Sequence, residues 1–276
     1  MSDAGTGAVS SFRVGAVISR SFSVFFANIV GFIPLAVVAS LPIVIVGVAL
    51  PLDEAVLTSG NEEELLAAMG PMMWGLLAVT IVSVATYLWL SAGVTYGVVS
   101  YLRGRQAGSV EILCQSVKSV PSLLLLTLMA IAVFLVLAVL NFVPIFGTIA
   151  FVAIGTWLYA IFWVVVPSIV VEGAGPIAGL GRSAQLTQGH RWSVLGIIIL
   201  WIAISMMIGI TAGAVVGAVG FAAGQGGLGS IVSVIINAIV QAVMMGLGAS
   251  VAAVGYHDLR VAKEGVGADQ IARAFD

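Results

Sequence analysis

The chain has 276 residues, of which 61% are hydrophobic and 8% are charged, and its formal net charge is −2. Soluble domains carry about 25% charged residues, so a water-soluble globule of this size could not cover its surface with so few charges. The composition therefore excludes a cytosolic enzyme, a disordered chain and a nucleic-acid binder, which would need a basic field for phosphate. It is typical of a polytopic membrane protein, and we predict an all-α fold, because helices satisfy their own backbone hydrogen bonds in lipid.

The membrane spans are predicted from long stretches without charged residues, since a helix crossing about 30 Å of hydrocarbon needs roughly 20 apolar residues. The segment 141–144 divides one stretch, because its proline cannot donate to the helical ladder. The glycine-rich turn at 224–230 divides another. We predict six transmembrane helices, near residues 24–50, 71–100, 121–142, 145–170, 193–222 and 231–256. They form a membrane domain over 24–257, flanked by a cytoplasmic segment, 1–23, with an interfacial helix, and by a cytoplasmic tail, 258–276.

Several residues mark bends and ends of these spans. Pro34 and Pro42 interrupt the ladder of the first span and predict kinks in it. Asn28, near the start of that span, is expected to cap a helix or to hydrogen-bond at an interface. Pro71 and Pro121 stand at span starts, where a proline in the first turn loses no hydrogen bond.

The orientation follows from the basic residues, which short cytoplasmic loops retain. With six spans, all ten Lys and Arg residues fall on the side that the two termini share. The largest loop on the other side, 51–70, carries five acidic residues and no basic one. Five or seven spans would scatter the basic residues over both sides. The charge pattern therefore favours six spans with both termini in the cytoplasm.

Three cytoplasmic stretches, 8–23, 109–120 and 176–190, precede the odd-numbered spans and are predicted as amphipathic helices in the membrane interface. With the hairpins that follow, they indicate a threefold repeat of interfacial helix plus hairpin. The alternative is that any short cytoplasmic loop of a six-span protein is basic and half apolar. The apolar stripes are Val14, Ile18, Phe22 and Phe25; Val110, Leu113, Val117 and Val120; and Ile177, Leu180, Ala184 and Thr187. The comparable positions are Arg20-Ser21, Gln115-Ser116 and Arg182-Ser183.

The sixth predicted span carries a polar stripe of Ser233, Asn237 and Gln241 on one face. An amide within hydrocarbon needs a hydrogen-bonding partner, so this face is expected to meet protein or water. Two interpretations remain open. The stripe either lines a path for a substrate or forms a hydrogen-bonded seam with a neighbouring helix.

Glycines on two spans have the spacing that lets helix backbones approach closely. Gly209, Gly213 and Gly217 follow each other at four-residue intervals in the fifth span, and Gly93 and Gly97 do so in the second. We predict helix packing at these positions, within the bundle. A subunit interface or sliding surface is the alternative.

Charged residues form two clusters at the cytoplasmic boundary. Glu172, Arg182 and Arg191 bracket the loop between the fourth and fifth spans, and Asp258, Arg260, Lys263 and Glu264 follow the sixth. Opposite charges at matching depth predict ion pairs across the bundle, for example Glu172 with Arg260 or Asp258 with Arg182. The clusters act either as a structural clasp or as contacts for phospholipid headgroups.

Residues for chemistry are scarce, since the predicted spans contain no Asp, Glu, Lys, Arg or His. This argues against a proton-coupled pump and an intramembrane metalloprotease. His190 and His257 lack the spacing of a zinc-binding helix, and the single cysteine, Cys114, forms no internal disulfide. We predict no catalytic, cofactor-binding or metal-binding residue.

Five short runs in the carboxyl-terminal half are distinctive: VPSIVVEG at 166–173, LGRS at 180–183, LTQGHRW at 186–192, YHDLR at 256–260 and KEG at 263–265. Together they resemble the membrane domain of bacterial glycerophosphoryl diester phosphodiesterases and related six-span bacterial inner-membrane proteins. The resemblance covers most of the chain and implies a membrane-embedded module of the bacterial plasma membrane. In those enzymes a separate soluble domain performs catalysis, and we expect none here, so the resemblance carries over no catalytic site.

The sequence thus predicts a non-catalytic integral membrane protein, a scaffold or lipid-interacting accessory of the bacterial plasma membrane. Its expected partners are membrane lipids, and another membrane protein or a second copy of itself, but no nucleic acid. The alternative is a transporter or exporter of a small apolar or lipid-like molecule. A continuous cavity reaching Asn237 and Gln241 would favour transport, whereas amides bonded to neighbouring helices would favour the scaffold.

Overall fold

The computed structural model describes residues 13–37, 62–143, 145–222 and 228–264. All regular structure in these ranges is helical, which confirms the predicted all-α class. In chain order the helices are α1 (Val14–Ala27), α2 (described over Ile29–Val37), α3 (Glu62–Leu102), α4 (Ser109–Ala138), α5 (Phe146–Ile161), α6 (Val165–Glu172), α7 (Pro176–Thr187), α8 (Arg191–Ala222) and α9 (Leu228–Glu264). A 3₁₀ turn over Val139–Phe142 follows α4. Pro42, Pro144 and most of the predicted turn at 224–230 lie outside the described residues.

Several of these helices are long and apolar enough to cross a membrane. Five segments meet this condition within the described residues: Met73–Leu102, Ser109–Phe142, Phe146–Glu172, Arg191–Val219 and Ile239–Glu264. The pair α1 and α2, bent by 75°, adds a sixth if the two helices form one span. The helix lengths are thus consistent with membrane residence and provide five or six candidate spans.

The bend in the first span lies at Asn28, six residues before the predicted kink at Pro34. The side-chain amide of Asn28 donates to the carbonyl of Val24 (2.8 Å), and its backbone N–H donates to the carbonyl of Phe25 (3.1 Å). The carbonyl of Asn28 in turn accepts from the N–H of Gly31 (2.9 Å). Asn28 therefore ends α1 and begins α2, as its amide side chain allows, while Pro34 lies inside α2.

The predicted interfacial helix at 109–120 is not separate, because α4 runs without a break from Ser109 to Ala138 and contains Pro121. The predicted boundary at Pro121 is therefore wrong. The inward face of α4 also differs from the predicted stripe. Val110 and Val117 are 74% and 55% exposed, whereas Ile112 is buried.

The other two segments predicted as interfacial helices are helical, as α1 and α7, with different outcomes for their apolar faces. In α1 the predicted stripe is confirmed, since Ile18 and Phe25 are buried. In α7 Ile177 is 76% exposed, and Gly179 instead faces the interior, where a Cβ would lie 2.5 Å from Ile169. Lipid surrounds a helix bundle in a membrane, and it solvates an isoleucine side chain as well as a protein core does. On α7 the small residues Gly179 and Ser183 therefore point inward together with Leu186, while Ile177 faces outward.

The core lies towards the end of the bundle that contains α1 and the carboxyl terminus of α9. Tyr256, Leu259 and Val98 are each at most 1% exposed there. A Cβ on Gly93 would overlap the side chain of Leu35, and one on Gly97 would overlap Phe32, so α2 packs directly on α3. The predicted close packing at Gly93 and Gly97 is confirmed.

Candidate functional site

Three helices at one end of the bundle share a pattern of buried positions. Ser21 on α1, Ser116 on α4 and Ser183 on α7 are each 0% exposed. The residues four before and three after each serine are buried as well: Val17 and Val24, Ile112 and Ser119, and Gly179 and Leu186. We call α1, residues 109–120 of α4, and α7 the three-helix ring.

Each member of the three-helix ring packs on the second arm of the preceding hairpin. The start of α4 packs on α3, where the indole N–H of Trp89 donates to the hydroxyl of Ser116 (2.6 Å). The helix α7 packs on α5 and α6, and Ser183 donates to the carbonyl of Ile161 (2.9 Å). The helix α1 packs on α9, where Gly246 makes room for Phe25. The order of contacts therefore closes on itself around the bundle.

Ion pairs tie two members of the ring to their neighbours. Arg20 Nη1 lies 2.8 Å from Asp258 Oδ1, and Arg182 Nε lies 2.9 Å from Glu172 Oε1. The two arginines occupy the position directly before the buried Ser21 and Ser183. They therefore make equivalent links from the ring to the end of a neighbouring span.

The links around Arg182 form a small network. Its Nη2 also lies 2.5 Å from Glu264 Oε1, and Glu264 accepts from Arg260 (2.9 Å). The hydroxyl of Tyr256 donates to Glu172 (2.6 Å). Partial burial by itself lowers the pKa of Arg182, but its hydrogen bonds with the two glutamates outweigh this effect and raise the pKa. Arg182 therefore stays cationic at every physiological pH.

Both predicted examples of ion pairs across the bundle have other partners in the structure. Asp258 pairs with Arg20 and not with Arg182, while Glu172 pairs with Arg182 and not with Arg260. Asp258 and Glu264 are six residues apart on α9, and six residues of α-helix turn through about 600°. The two carboxylates therefore face different neighbours, Asp258 towards α1 and Glu264 towards α7.

A third link, at the loop before α4, joins Arg105, Glu111 and Tyr96. Glu111 accepts from Arg105 (2.5 Å) and from the hydroxyl of Tyr96 (2.6 Å). The hydrogen bond with Glu111 raises the pKa of Arg105. Sequence reasoning did not identify this link, nor Arg20 and Tyr256 as partners of the charged clusters. The position of Arg20 before Ser21, matching Arg182 before Ser183, was the signal that could have indicated the ion pair of Arg20 with Asp258.

A groove opens between α8 and α9 far from the ring. It has a volume of about 250 Å³ and is lined by Gly209, Ala212, Gly213 and Val216 on α8 and by Asn237, Val240, Gln241 and Met244 on α9. Asn237 and Gln241 are exposed within it. The side chain of Ser233, the third member of the predicted polar stripe, lies outside the described part of the structure. The groove therefore combines a glycine floor with two amides in an otherwise apolar lining.

Three glycines of α8 do not pack against a helix of the described chain. No atom there lies within 4 Å of the position that a Cβ would take on Gly209, Gly213 or Gly217. The predicted packing within the bundle is therefore not found at these three positions. Two of them, Gly209 and Gly213, form part of the groove instead.

The groove lies well away from the ring along α9. Gln241 precedes Asp258 by 17 residues, which correspond to about 26 Å along a helix that rises about 1.5 Å per residue. Since the hydrocarbon core of a membrane is about 30 Å thick, this distance is close to the length of one membrane span.

Arg191, predicted with the charged clusters, stands apart from their ion pairs. Its guanidinium carbon lies 5.8 Å from the ring centroid of Trp157. Trp157 in turn makes an edge contact with Trp192 (5.7 Å between centroids). The structure thus divides the predicted charged residues into an ion-paired set and one arginine stacked on tryptophan.

Residues 109–259, more than half of the chain, match a family model described as a domain of unknown function (DUF7847). No curated protein and no solved structure matches the chain.

Proposed function

Since this chain belongs to the family described as a domain of unknown function (DUF7847), we propose a role for it from its groove and its three-helix ring. The chain is a non-catalytic integral membrane protein of the bacterial plasma membrane that acts as a lipid-interacting scaffold or accessory module. The resemblance of its loop segments to the membrane domains of bacterial glycerophosphoryl diester phosphodiesterases supports this location.

The groove between α8 and α9 is the observation that carries this proposal. Its walls are apolar except for Asn237 and Gln241, and lipid-binding sites combine such walls with few polar groups. An acyl chain would lie on the glycine floor, and the amides would reach the polar part of the lipid. The carboxylates that pair with arginines beside the ring, Glu172, Asp258 and Glu264, suit a structural role. The described lining of the groove contains no acid or base.

In this proposal the three-helix ring lies at the cytoplasmic face, the bent pair α1 and α2 begins the first of six spans, and the matching buried serines reflect a threefold repeat. Fusions of alkaline phosphatase and of green fluorescent protein within 51–70 and after Glu264 test the orientation. We expect phosphatase activity only for the fusion in 51–70 and fluorescence only for the fusion after Glu264. A fluorescent fusion in 51–70 would overturn the orientation.

We expect Gly213→Leu to lower the amount of lipid that copurifies with the protein by about fivefold, a loss near 1 kcal/mol. The added side chain fills the groove, and the fold accommodates it because no described atom lies within 4 Å of its Cβ. Native mass spectrometry after mild detergent extraction measures the retained lipid. Val215→Leu is the matched control, since Val215 is exposed on the same helix outside the groove lining.

Equal lipid retention in both variants would contradict the proposed role of the groove. Asn237→Leu and Gln241→Leu then separate the two parts of the lining. If these variants retain the same total amount of lipid but lose one class of lipid, defined by its headgroup or its ester groups, the amides contact the polar part of the ligand.

A transporter or exporter of a small apolar or lipid-like molecule is the second candidate, and the same groove favours it because it reaches both Asn237 and Gln241. Transport requires that the ligand leave one side and appear on the other. Metabolite and lipid profiling of a deletion strain, together with fluorescent-lipid flux in proteoliposomes, separates the two. Protein-dependent flux that Gly213→Leu abolishes would favour transport over the scaffold.

A further inference from the structure

Arg191 lacks a counter-ion in the described part of the protein. The carboxylates whose side chains are described, Glu111, Glu172, Asp258 and Glu264, each pair with a different arginine. The Nε atom of Arg191 is buried and has no hydrogen-bond partner among the described residues. A partly buried cation without an anion is unfavourable, so this position is suited to an anion from outside the chain.

One tryptophan contacts the guanidinium of Arg191, and a second packs against the first. It stacks over Trp157 of α5 at 5.8 Å, a cation–π contact. Trp192, which is 78% exposed, packs edge-on against Trp157. A stacked guanidinium keeps its N–H groups in its own plane, where they match the oxygens of a phosphate in pairs. Tryptophan is also the residue enriched at the headgroup level of membranes.

The surface of α8 next to this site is apolar and exposed. Ile199 and Met206 are 64% and 61% exposed, and they follow Trp192 at intervals of seven residues, which brings them to one face of the helix. An acyl chain attached to a phosphate at Arg191 would run along this face towards the membrane centre. This track favours a lipid over free phosphate as the source of the anion.

We propose that Arg191, Trp157 and Trp192 form a site for the phosphate of an anionic phospholipid in the leaflet next to the three-helix ring. The site deepens the lipid-interacting function proposed above and rests on it. The site is separate from the groove, which lies well away from the ring along α9. The first N–H groups of α8, which begins at Arg191, have no partner within the helix and add to the attraction for phosphate.

The test compares binding of phosphatidylglycerol and phosphatidylcholine to the full chain in detergent, by native mass spectrometry with titrated lipid. We expect the wild type to prefer phosphatidylglycerol, and Arg191→Gln to weaken its binding by about tenfold, as for the loss of one charge-assisted contact. Lys118→Gln is the control, because it removes the same charge from an exposed position on α4 and is expected to change binding by less than about twofold. Trp192→Leu, at an exposed site that the fold does not depend on, should weaken binding in the same direction.

The remaining outcomes either contradict the site at Arg191 or distinguish it from the groove. An equal effect of Arg191→Gln and Lys118→Gln would overturn the site in favour of general surface charge. Displacement of the lipid by millimolar inorganic phosphate would overturn the assignment to a lipid. If Gly213→Leu lowers lipid retention but Arg191→Gln does not, this inference fails while the proposed function stands. If the wild type retains no lipid, both fail.

Discussion

Replacing Gly246 by leucine is expected to lower the free energy of unfolding by about 3 kcal/mol, because it overpacks a contact that has no room. A Cβ on Gly246 would lie 2.6 Å from Cε2 of Phe25. The ring of Phe25 cannot move aside easily, since it is 3% exposed, stacks on Phe32 at 5.7 Å and contacts Phe26 at 5.5 Å. The substitution therefore pushes α1 away from α9 and opens the three-helix ring.

Gly213→Leu is the matched control for this prediction, because it adds the same side chain where no described atom lies within 4 Å. We expect it to change the free energy of unfolding by less than about 0.5 kcal/mol. Unfolding in mixed micelles of increasing SDS fraction, followed by tryptophan fluorescence, measures both. Phe25→Ala should cost less in the Gly246→Leu background than in the wild type, since the two residues share one contact. Equal losses of unfolding free energy in Gly246→Leu and Gly213→Leu would mean that α1 does not pack against α9 as described.

The helical class and the approximate places of the long apolar helices could be predicted from the sequence, because charge-free length is a direct requirement of a membrane span. Their starts could not, since α3 begins at Glu62 and not at Pro71, and α4 at Ser109 and not at Pro121. The face that each helix turns towards the interior could not be predicted. On α4 and α7 the predicted stripes are only partly inward: Val110 and Ile177 are exposed, whereas Thr187 is buried. Lipid removes the penalty that drives apolar residues inward in water. Where a small residue meets a large partner, as Gly179 meets Ile169, steric fit decides the inward face instead.

The place where the charged residues cluster could be predicted from the sequence, but which of them pair with each other could not. Charges confined to one end of the bundle must meet there, and the structure brings Glu172 and Arg182 together. Which carboxylate each arginine meets depends on how the helices are rotated about their axes, and this is set by packing. The same holds for the groove, since the spacing of Gly209 and Gly213 allows a close approach but does not require one.

The link between Arg182 and Glu172 leads to the second large effect, because it is better shielded than the equivalent link of Arg20. The side chains of Arg182, Glu172 and Glu264 are 24%, 25% and 29% exposed, whereas that of Arg20 is 45% exposed. We expect Arg182→Gln to lower the free energy of unfolding by about 2 kcal/mol, since it leaves the partly buried Glu172 without its cation and removes one of the two arginines that pair with Glu264. Arg20→Gln should cost no more than about 1 kcal/mol, and less at high salt.

Charge reversal identifies the carboxylate that pairs with Arg182 of α7. Arg182→Glu places a third acid beside Glu172 and Glu264, so we expect a loss larger than that of Arg182→Gln. Adding Glu172→Arg restores an opposite pair across α6 and α7 and should recover part of the stability, whereas adding Asp258→Arg should not, because Asp258 faces α1. The SDS midpoint of the four variants measures this. Recovery of stability only through Asp258→Arg would show that α9 is rotated relative to the arrangement described. The ion pairs of Arg20 and of Arg182 would then not be independent of each other.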